Sequence, residues 1–338
     1  MPDFNPSACH NRLLDSAPKA LAFKPGQPFE PWRRRLAARL RTIVGQQPQA
    51  VKPDLRVEWA KERETYLERR LVFTAEAGAD VPCHLLTPLS AKPPHPLMIC
   101  LQGHSTGMHI SLGTPKYEKD AASIAGGRDF AVQAVAQGYA ALALEQRCFG
   151  ERRDESKGSD NGGPTCLHAT LASLLLGRTM IGERVWDVSR AIDVMAGFPE
   201  VDTERIGIMG NSGGGTITWY ASCLEPRIKA AMPSCAVCTY GDSIGRIVHC
   251  ADNYLPGALR WFDMGDLAGL IAPRPLVVVA GKDDGIFPLK GVQATFETIK
   301  GIYQAADAAH RCELVVGPEG HRFYPEQAWP VFKQVTGW

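Results

Sequence analysis

The stretch Arg205-Ile206-Gly207-Ile208-Met209, continued by Gly210-Asn211-Ser212-Gly213-Gly214, decides the reading of this chain. The first five residues read as a short buried strand, the next five as a G-x-S-x-G turn, and Thr216 to Cys223 as a helix. With 33 glycines in the chain, the pentapeptide alone arises easily by chance. Strand, turn and helix in that order are far more specific. Such a turn is strained, and side chains two residues either side of the serine would collide with strand and helix, which explains Gly210 and Gly214. The serine hydroxyl is then held up over a helix N-terminus, where developing negative charge is favoured. The glycines from Gly207 to Gly215 lack dinucleotide spacing, and no Lys follows as in a Walker motif. Ser212 is the predicted nucleophile.

Outward from this turn, apolar runs alternate with helical segments. The runs are Pro96–Leu101, Ala140–Leu144, Arg205–Met209, Ile228–Met232, Pro275–Ala280 and Cys312–Val316. Helices are expected near Lys119–Gln137, Leu167–Ala196, Gly214–Leu224, Leu289–Ala305 and Glu326–Gln334. Strands apolar throughout and alternating with helices predict an α/β fold with a mostly parallel sheet covered on both faces. Glu68–Glu76 and Val81–Thr87 read as a hairpin ahead of it. Residues 56–338 are expected to form this catalytic domain, with an insertion at about 236–270, and residues 1–55 a helical extension. In that extension Trp32, Leu36, Leu40 and Ile43 recur at helical spacing among arginines, which predicts a helix docked on the main domain.

Catalytic groups in such sheets sit just beyond the carboxyl ends of strands. After Pro275–Ala280 comes Gly281-Lys282-Asp283-Asp284-Gly285-Ile286-Phe287-Pro288. Asp283 and Asp284 compete as the acid here. After the last strand comes Gly317-Pro318-Glu319-Gly320-His321, and His321 is the predicted base. A serine nucleophile also needs two backbone donors for the oxyanion. One is Gly213; the other is His104, in Gln102-Gly103-His104-Ser105-Thr106-Gly107 after an earlier strand. The His104 ring could instead serve as a metal ligand or second base.

Gln102-Gly103-His104, the Gly210–Gly214 turn, Gly281–Pro288 and Glu319-Gly320-His321 together resemble the α/β-hydrolase superfamily. The flavour is similar to acetylxylan esterase and prolyl-oligopeptidase-related, dienelactone-hydrolase-like esterases, with Glu145-Gln146-Arg147-Cys148-Phe149-Gly150-Glu151 resembling a segment of those proteins. Members of that superfamily often carry the acid three residues after a Gly and four before a Pro, which implies Asp284 here, with Asp283 as the alternative. The likeness runs from about residue 60 to the end. It implies a small insertion over the active site and a serine esterase cleaving small acyl groups, acetylated carbohydrates among them. It departs at one place: sugar deacetylases of this kind commonly carry Gln after the nucleophile, where this chain has Gly213.

With 37 basic and 36 acidic residues the net charge is +1, so no global field points to nucleic acid or an anionic membrane. No apolar run reaches membrane-spanning length and no leader pattern opens the chain, so a cytoplasmic protein with its ten cysteines reduced is expected. Cys235 and Cys238, with His249-Cys250 further on, do not have the spacing of a zinc site and read as buried structural thiols. No cofactor or metal is called for; the partner is a small-molecule ester, and a homo-oligomer is compatible with the composition. Tyr254, Trp261 and Phe262 of the insertion, with Met108 past the oxyanion loop, are expected to line the substrate pocket. Glu145, Arg147, Glu151 and Arg152 either bind a polar alcohol or pair with one another. Two rivals remain: a peptidase or amidase with the same triad, and a catalytically silent hydrolase fold used for binding.

Overall fold

The computed structural model describes residues 4–90, 92–157 and 162–338. A nine-stranded sheet runs through it in the order β1-β2-β3-β5-β4-β6-β7-β8-β9. Three strands enter antiparallel: β1 (Arg56–Glu62), β2 (Tyr66–Glu76) and β3 (Ala79–Pro88). The other six are mutually parallel: β5 (Ala140–Leu144), β4 (His95–Leu101), β6 (Val201–Asn211), β7 (Ile228–Ser234), β8 (Leu276–Gly281) and β9 (Cys312–Gly317).

Side-chain alternation explains why the parallel strands are apolar throughout. In β4, Leu97, Ile99 and Leu101 join the core on one face, and Met98 and Cys100 the core on the other. In β8, Leu276, Val278 and Ala280 divide from Val277 and Val279 in the same way. A strand covered on both faces has no wet side on which to place polar residues. The first face is covered by α2 (Phe29–Ile43), α6 (Met180–Met195), α7 (Gly213–Leu224) and α8 (Leu289–Ala305). The second is covered by α4 (Phe130–Ala136) and α9 (Pro325–Thr336).

Two expected helices are each broken. Lys119–Gln137 becomes α3 (Asp120–Ser123), a single π turn and α4, because Gly127 takes φ +75°. Leu167–Ala196 becomes α5 (Cys166–Leu175) and α6, parted at Gly177 with φ +70°. Thr179 then caps α6, its hydroxyl accepting from Gly182 N at 3.1 Å. The short α1 (Pro6–Asp15) buries no residue, whereas α2 buries Trp32, Leu36 and Leu40 and leaves Arg34, Arg35 and Arg41 exposed. Among the described residues no helix is long and apolar enough to cross a membrane.

β4 has β5 on one side and β6 on the other, so the chain reverses direction of travel across the sheet at this point. Loops leaving the carboxyl ends of strands at such a switch diverge and open a crevice. The loop after β4 and the turn after β6 meet there.

Candidate active site

Ser212 stands alone between the end of β6 and the start of α7, with φ +57° and ψ −125°. An L-residue holds such a conformation only when its surroundings over-determine it. Ser212 N donates to Ser234 O at 2.9 Å, and its carbonyl accepts from Thr216 N at 2.8 Å. The glycines around it are sites of close approach: a Cβ on Gly214 would lie 2.1 Å from Leu101 O, and one on Gly210 2.6 Å from the same atom. Gly103 has no positive φ; its service is that a Cβ there would lie 2.8 Å from the Ser212 Cβ and 2.5 Å from Asn211 O. It therefore lets the oxyanion loop press onto the turn.

The loop is pinned from several sides. Gln102 Nε2 donates to Ser111 Oγ at 2.7 Å and to Arg128 O at 2.6 Å. Asp120, buried, accepts from His109 Nε2 at 2.8 Å, from Thr106 Oγ1 at 2.5 Å and from two backbone amides. Burial alone would raise its pKa, but these donors hold it down at about 2. Glu145 accepts from Met108 N at 3.0 Å, and burial pushes its carboxyl up to about 7.

His321, in the loop after β9, bonds through Nδ1 to Asp284 Oδ2 at 2.8 Å. Its ring stacks on Phe287 with centroids 6.0 Å apart and planes 14° from parallel. Asp284 Oδ1 accepts from Ile286 N at 2.8 Å and Phe287 N at 3.0 Å. Burial favours its neutral form, yet the bond and charge of His321 and the two amides outweigh that, and its pKa lies below the ordinary value. Asp283 is exposed and donates its backbone N–H to Glu319 O. The structure therefore brings Asp284, not Asp283, onto His321. Cys235, between these loops, hydrogen-bonds Asp284 and donates to Arg322 O at 3.3 Å; burial lifts its thiol to about 12.

A second histidine–carboxylate pair lies against the turn that carries Ser212. His104 Nε2 sits 2.9 and 3.0 Å from the two oxygens of Asp252. Asp252 Oδ2 also accepts from Arg184 Nη1 at 2.6 Å, and both partners of that ion pair are buried. Burial pulls the imidazole pKa down, but the charge and hydrogen bond of Asp252, with the Cys166 thiol, raise it to about 9. His104 is an imidazolium at neutral pH. A Cβ on Gly213 would lie 2.8 Å from His104 Nδ1 and 2.9 Å from Cε1. The space a side chain at 213 would use is filled by the His104 ring, which explains why Gly stands there.

The expected pocket wall is corrected. Phe262 is fully buried in the main core and cannot face a substrate. Trp261 has Arg39 of α2 over its ring at 3.6 Å, and Tyr254 lines a groove against His10 and Leu13 of α1. Met108 is buried in the core beside the oxyanion loop. The part of the insertion that reaches the catalytic edge is 249–252 instead: His249 packs on Phe287, and Asp252 holds His104. Phe149 packs edge-on against His104 at 5.1 Å. The guanidinium groups of Arg147 and Arg152 pair with Glu76, Glu183 and Asp187. Sequence reasoning missed Asp252 and Arg184. No short motif links residues 104, 184 and 252; only the fold joins them.

Residues 46–255 match the family Acetyl xylan esterase (AXE1). The chain is 25% identical over 300 residues, 86% of its length and 92% of the relative's, to the Bacillus subtilis (strain 168) protein named "Putative hydrolase YtaP". It is 28% identical over 218 residues, 56% of this chain and 50% of the relative, to the 4-O-methyl-glucuronoyl methylesterase of Phanerochaete carnosa. A solved structure described as "a putative acetyl xylan esterase" from Bacteroides fragilis superimposes with TM-score 0.78 at 16% identity, covering 97% of this chain and 84% of that one. A glucuronoyl esterase from Solibacter usitatus gives 0.67 at 16% identity, covering 90% and 93%. These two likenesses show the shared α/β fold. The family match takes in His104, Ser212 and Asp252, while Asp284 and His321 lie beyond it. More than half of its residues fall within that match, and the chain belongs to the acetyl xylan esterase family of carboxylic-ester hydrolases.

Proposed function

We propose that this hydrolase cleaves small acyl esters of carbohydrates through an acyl-enzyme on Ser212, with His321 as base and Asp284 as its orienting acid. The observation that carries the reading is the positive φ of Ser212 (+57°), held between β6 and α7, a strained position of the kind that clusters at active sites. His321 and Asp284 stand beyond β9 and β8 on the same sheet edge, already bonded to each other.

In this reading His321 Nε2 takes the Ser212 Oγ proton as the oxygen attacks the ester carbonyl, and returns it to the departing alcohol. Asp284, bonded to Nδ1, fixes the tautomer and stabilises the imidazolium. The backbone amides of Gly213 and His104 face the oxyanion. The His104 imidazolium, anchored through Nε2, adds positive charge from its Nδ1 side. Water, activated by the same His321, then releases the acid. Carbohydrate esters are supported as the substrate class by the relatives named for acetyl xylan and glucuronoyl esters.

The test is Ser212→Ala on a panel of acetyl, butyryl and octanoyl aryl esters, acetylated xylo-oligosaccharides and a methyl glucuronate. Acetyl esters should lead in the wild type, and the variant should lose at least about 10⁴-fold in kcat. Retention of more than a few per cent of activity would show that Ser212 is not the nucleophile. Preference for the methyl glucuronate would move the carbohydrate to the acyl side of the ester.

A further inference from the structure

β4 and β5 run parallel with Leu101 paired to Leu144, so the residues that follow the two strands leave the sheet side by side. From β4 comes the loop Gln102–Met108, which carries the His104 amide. From β5 come Glu145 and Gln146, both buried. These two side chains hold opposite ends of that loop. Gln146 Nε2 donates to Gln102 O. Glu145 accepts from Met108 N, at 3.0 Å to Oε1 and 3.2 Å to Oε2, and its Oε2 also accepts from Glu151 N at 3.3 Å. Two glycines make room for the carboxylate. A Cβ on Gly150 would lie 1.9 Å from Oε2 and one on Gly107 2.8 Å, and both glycines have positive φ, +47° and +138°. Between the two held ends, His104 N lies 3.6 Å from where a Cβ on Gly213 would stand, so the two oxyanion donors are neighbours.

We propose that Glu145 and Gln146 are positioning residues for ester hydrolysis, holding the oxyanion loop by both ends so that His104 N and Gly213 N face one point. This rests on the acyl-enzyme mechanism proposed for Ser212. A backbone donor serves the oxyanion only when it lies within about 2.7–3.1 Å of the developing charge. A loop released at one end would spread over more than that tolerance, and misplacement by about 1 Å is costly in rate. Neither residue touches the ester; each acts through the loop backbone.

Glu145 does this work as an anion. Two backbone N–H groups converge on its oxygens, and an ionised carboxylate is acceptor-only. A proton there, or the NH2 of an amide, sets donor against donor. Among the described residues no side chain hydrogen-bonds the carboxylate. The charges that face it are Glu151 and Arg152 of the turn Gly150–Arg152, Arg70 of β2, and His109 across Gly107. Arg70 is taken by Glu151, at 2.9 and 2.6 Å, Arg152 by Asp187 at 2.7 Å, and His109 Nε2 by Asp120 at 2.8 Å. Burial raises the Glu145 carboxyl to about 7, against the two backbone bonds that lower it. Mild acid therefore places a proton on this hold and loosens the Met108 end of the loop.

The test compares the full chain with Glu145→Gln and, separately, Gln146→Met. The measurements are kcat and KM on an acetyl ester from about pH 5.5 to 9, and hydrogen-exchange protection of the amides of residues 102–108. In each variant kcat should fall about 10- to 100-fold, less than the roughly 10² to 10³ of a donor removed outright, with KM within about twofold. Protection of the Met108 amide should drop about tenfold in Glu145→Gln. Wild-type kcat/KM should decline in acid more steeply than one protonation permits, and Glu145→Gln should follow a single protonation. Should Glu145→Gln not fold, Gln146→Met and the wild-type pH profile still decide. Wild-type kcat in both variants, or undiminished protection of Met108, would overturn the hold on the loop. A rise in KM matching the fall in kcat would overturn the positioning role, and a single-proton acid limb in the wild type would overturn the need for the anion. If no ester is turned over at all, the proposed function fails, while the protection of Met108 still judges the contact with Glu145.

Discussion

Two histidine–aspartate pairs stand beyond the carboxyl ends of the parallel strands, and they differ in what backs the carboxylate. His321 gives Asp284 its Nδ1, and the second carboxylate oxygen is satisfied by two backbone amides, neutral donors that add no full charge. His104 gives Asp252 its Nε2, and the carboxylate also carries Arg184, so a cation–anion–cation row is locked in a buried place. The second arrangement favours a positive charge on the ring; the first puts only neutral donors behind the carboxylate. The difference lies neither in the histidine nor in the aspartate. It lies in what stands behind the carboxylate.

The comparison is tested most severely by removing each ring. His321→Ala should lower kcat by on the order of 10⁴ to 10⁶, as for a missing catalytic base. His104→Asn keeps the backbone amide and removes only the charge of the ring, so it should cost less than the roughly 10² to 10³ of a lost oxyanion donor. Equal losses would mean that both rings move protons.

Next come the aspartates. Asp284→Asn should reduce kcat by about 10⁴ with little change in melting temperature, since the backbone donors keep a partner. Asp283→Asn should be close to wild type. Asp252→Ala should instead strike stability, because it strands the Arg184 guanidinium; breaking such a buried pair costs about 3–5 kcal/mol, read as a fall in denaturation midpoint.

The smallest effect is in pH dependence. The folded His104 pKa, about 9, lies above its ordinary 6.5. Its contribution to stability is therefore complete below about pH 6.5 and is lost as pH rises through about 9. Urea titrations at pH 6, 8 and 9.5 should show the wild type weakening at each step and His104→Asn changing little. The kcat/KM profile should carry a matching alkaline limb that the variant lacks.

How much of this was legible depends on the range of each signal. The turn around Ser212, the Asp284 loop and the His321 loop each follow a strand and carry their own glycines, so local pattern sufficed for them. Interruption of helices at Gly127 and Gly177 was visible as residues but not as events, since a lone glycine breaks a helix only when its neighbours pack elsewhere. The Tyr254–Met264 stretch misled because aromatic side chains serve a core and a pocket wall alike. Asp252 and Arg184 could not be paired from sequence at all, since they stand 68 residues apart with no motif between them.

Trp32 of α2 lies against Gly269 so closely that a Cβ there would stand 2.4 Å from the indole ring, and the indole N–H donates to Leu21 O at 2.8 Å. Positions 32 and 269 are thus parts of one fitting, contributed by the two ends of the chain. Gly269→Ala alone should be poorly tolerated, and so should a smaller residue at 32 alone, for a clash in one case and a void in the other. Made together they offset each other. As such a chain diverges, the pair is bound to drift in step, and a lineage that sheds its first forty residues must refill the surface above residue 269 before it can do without them.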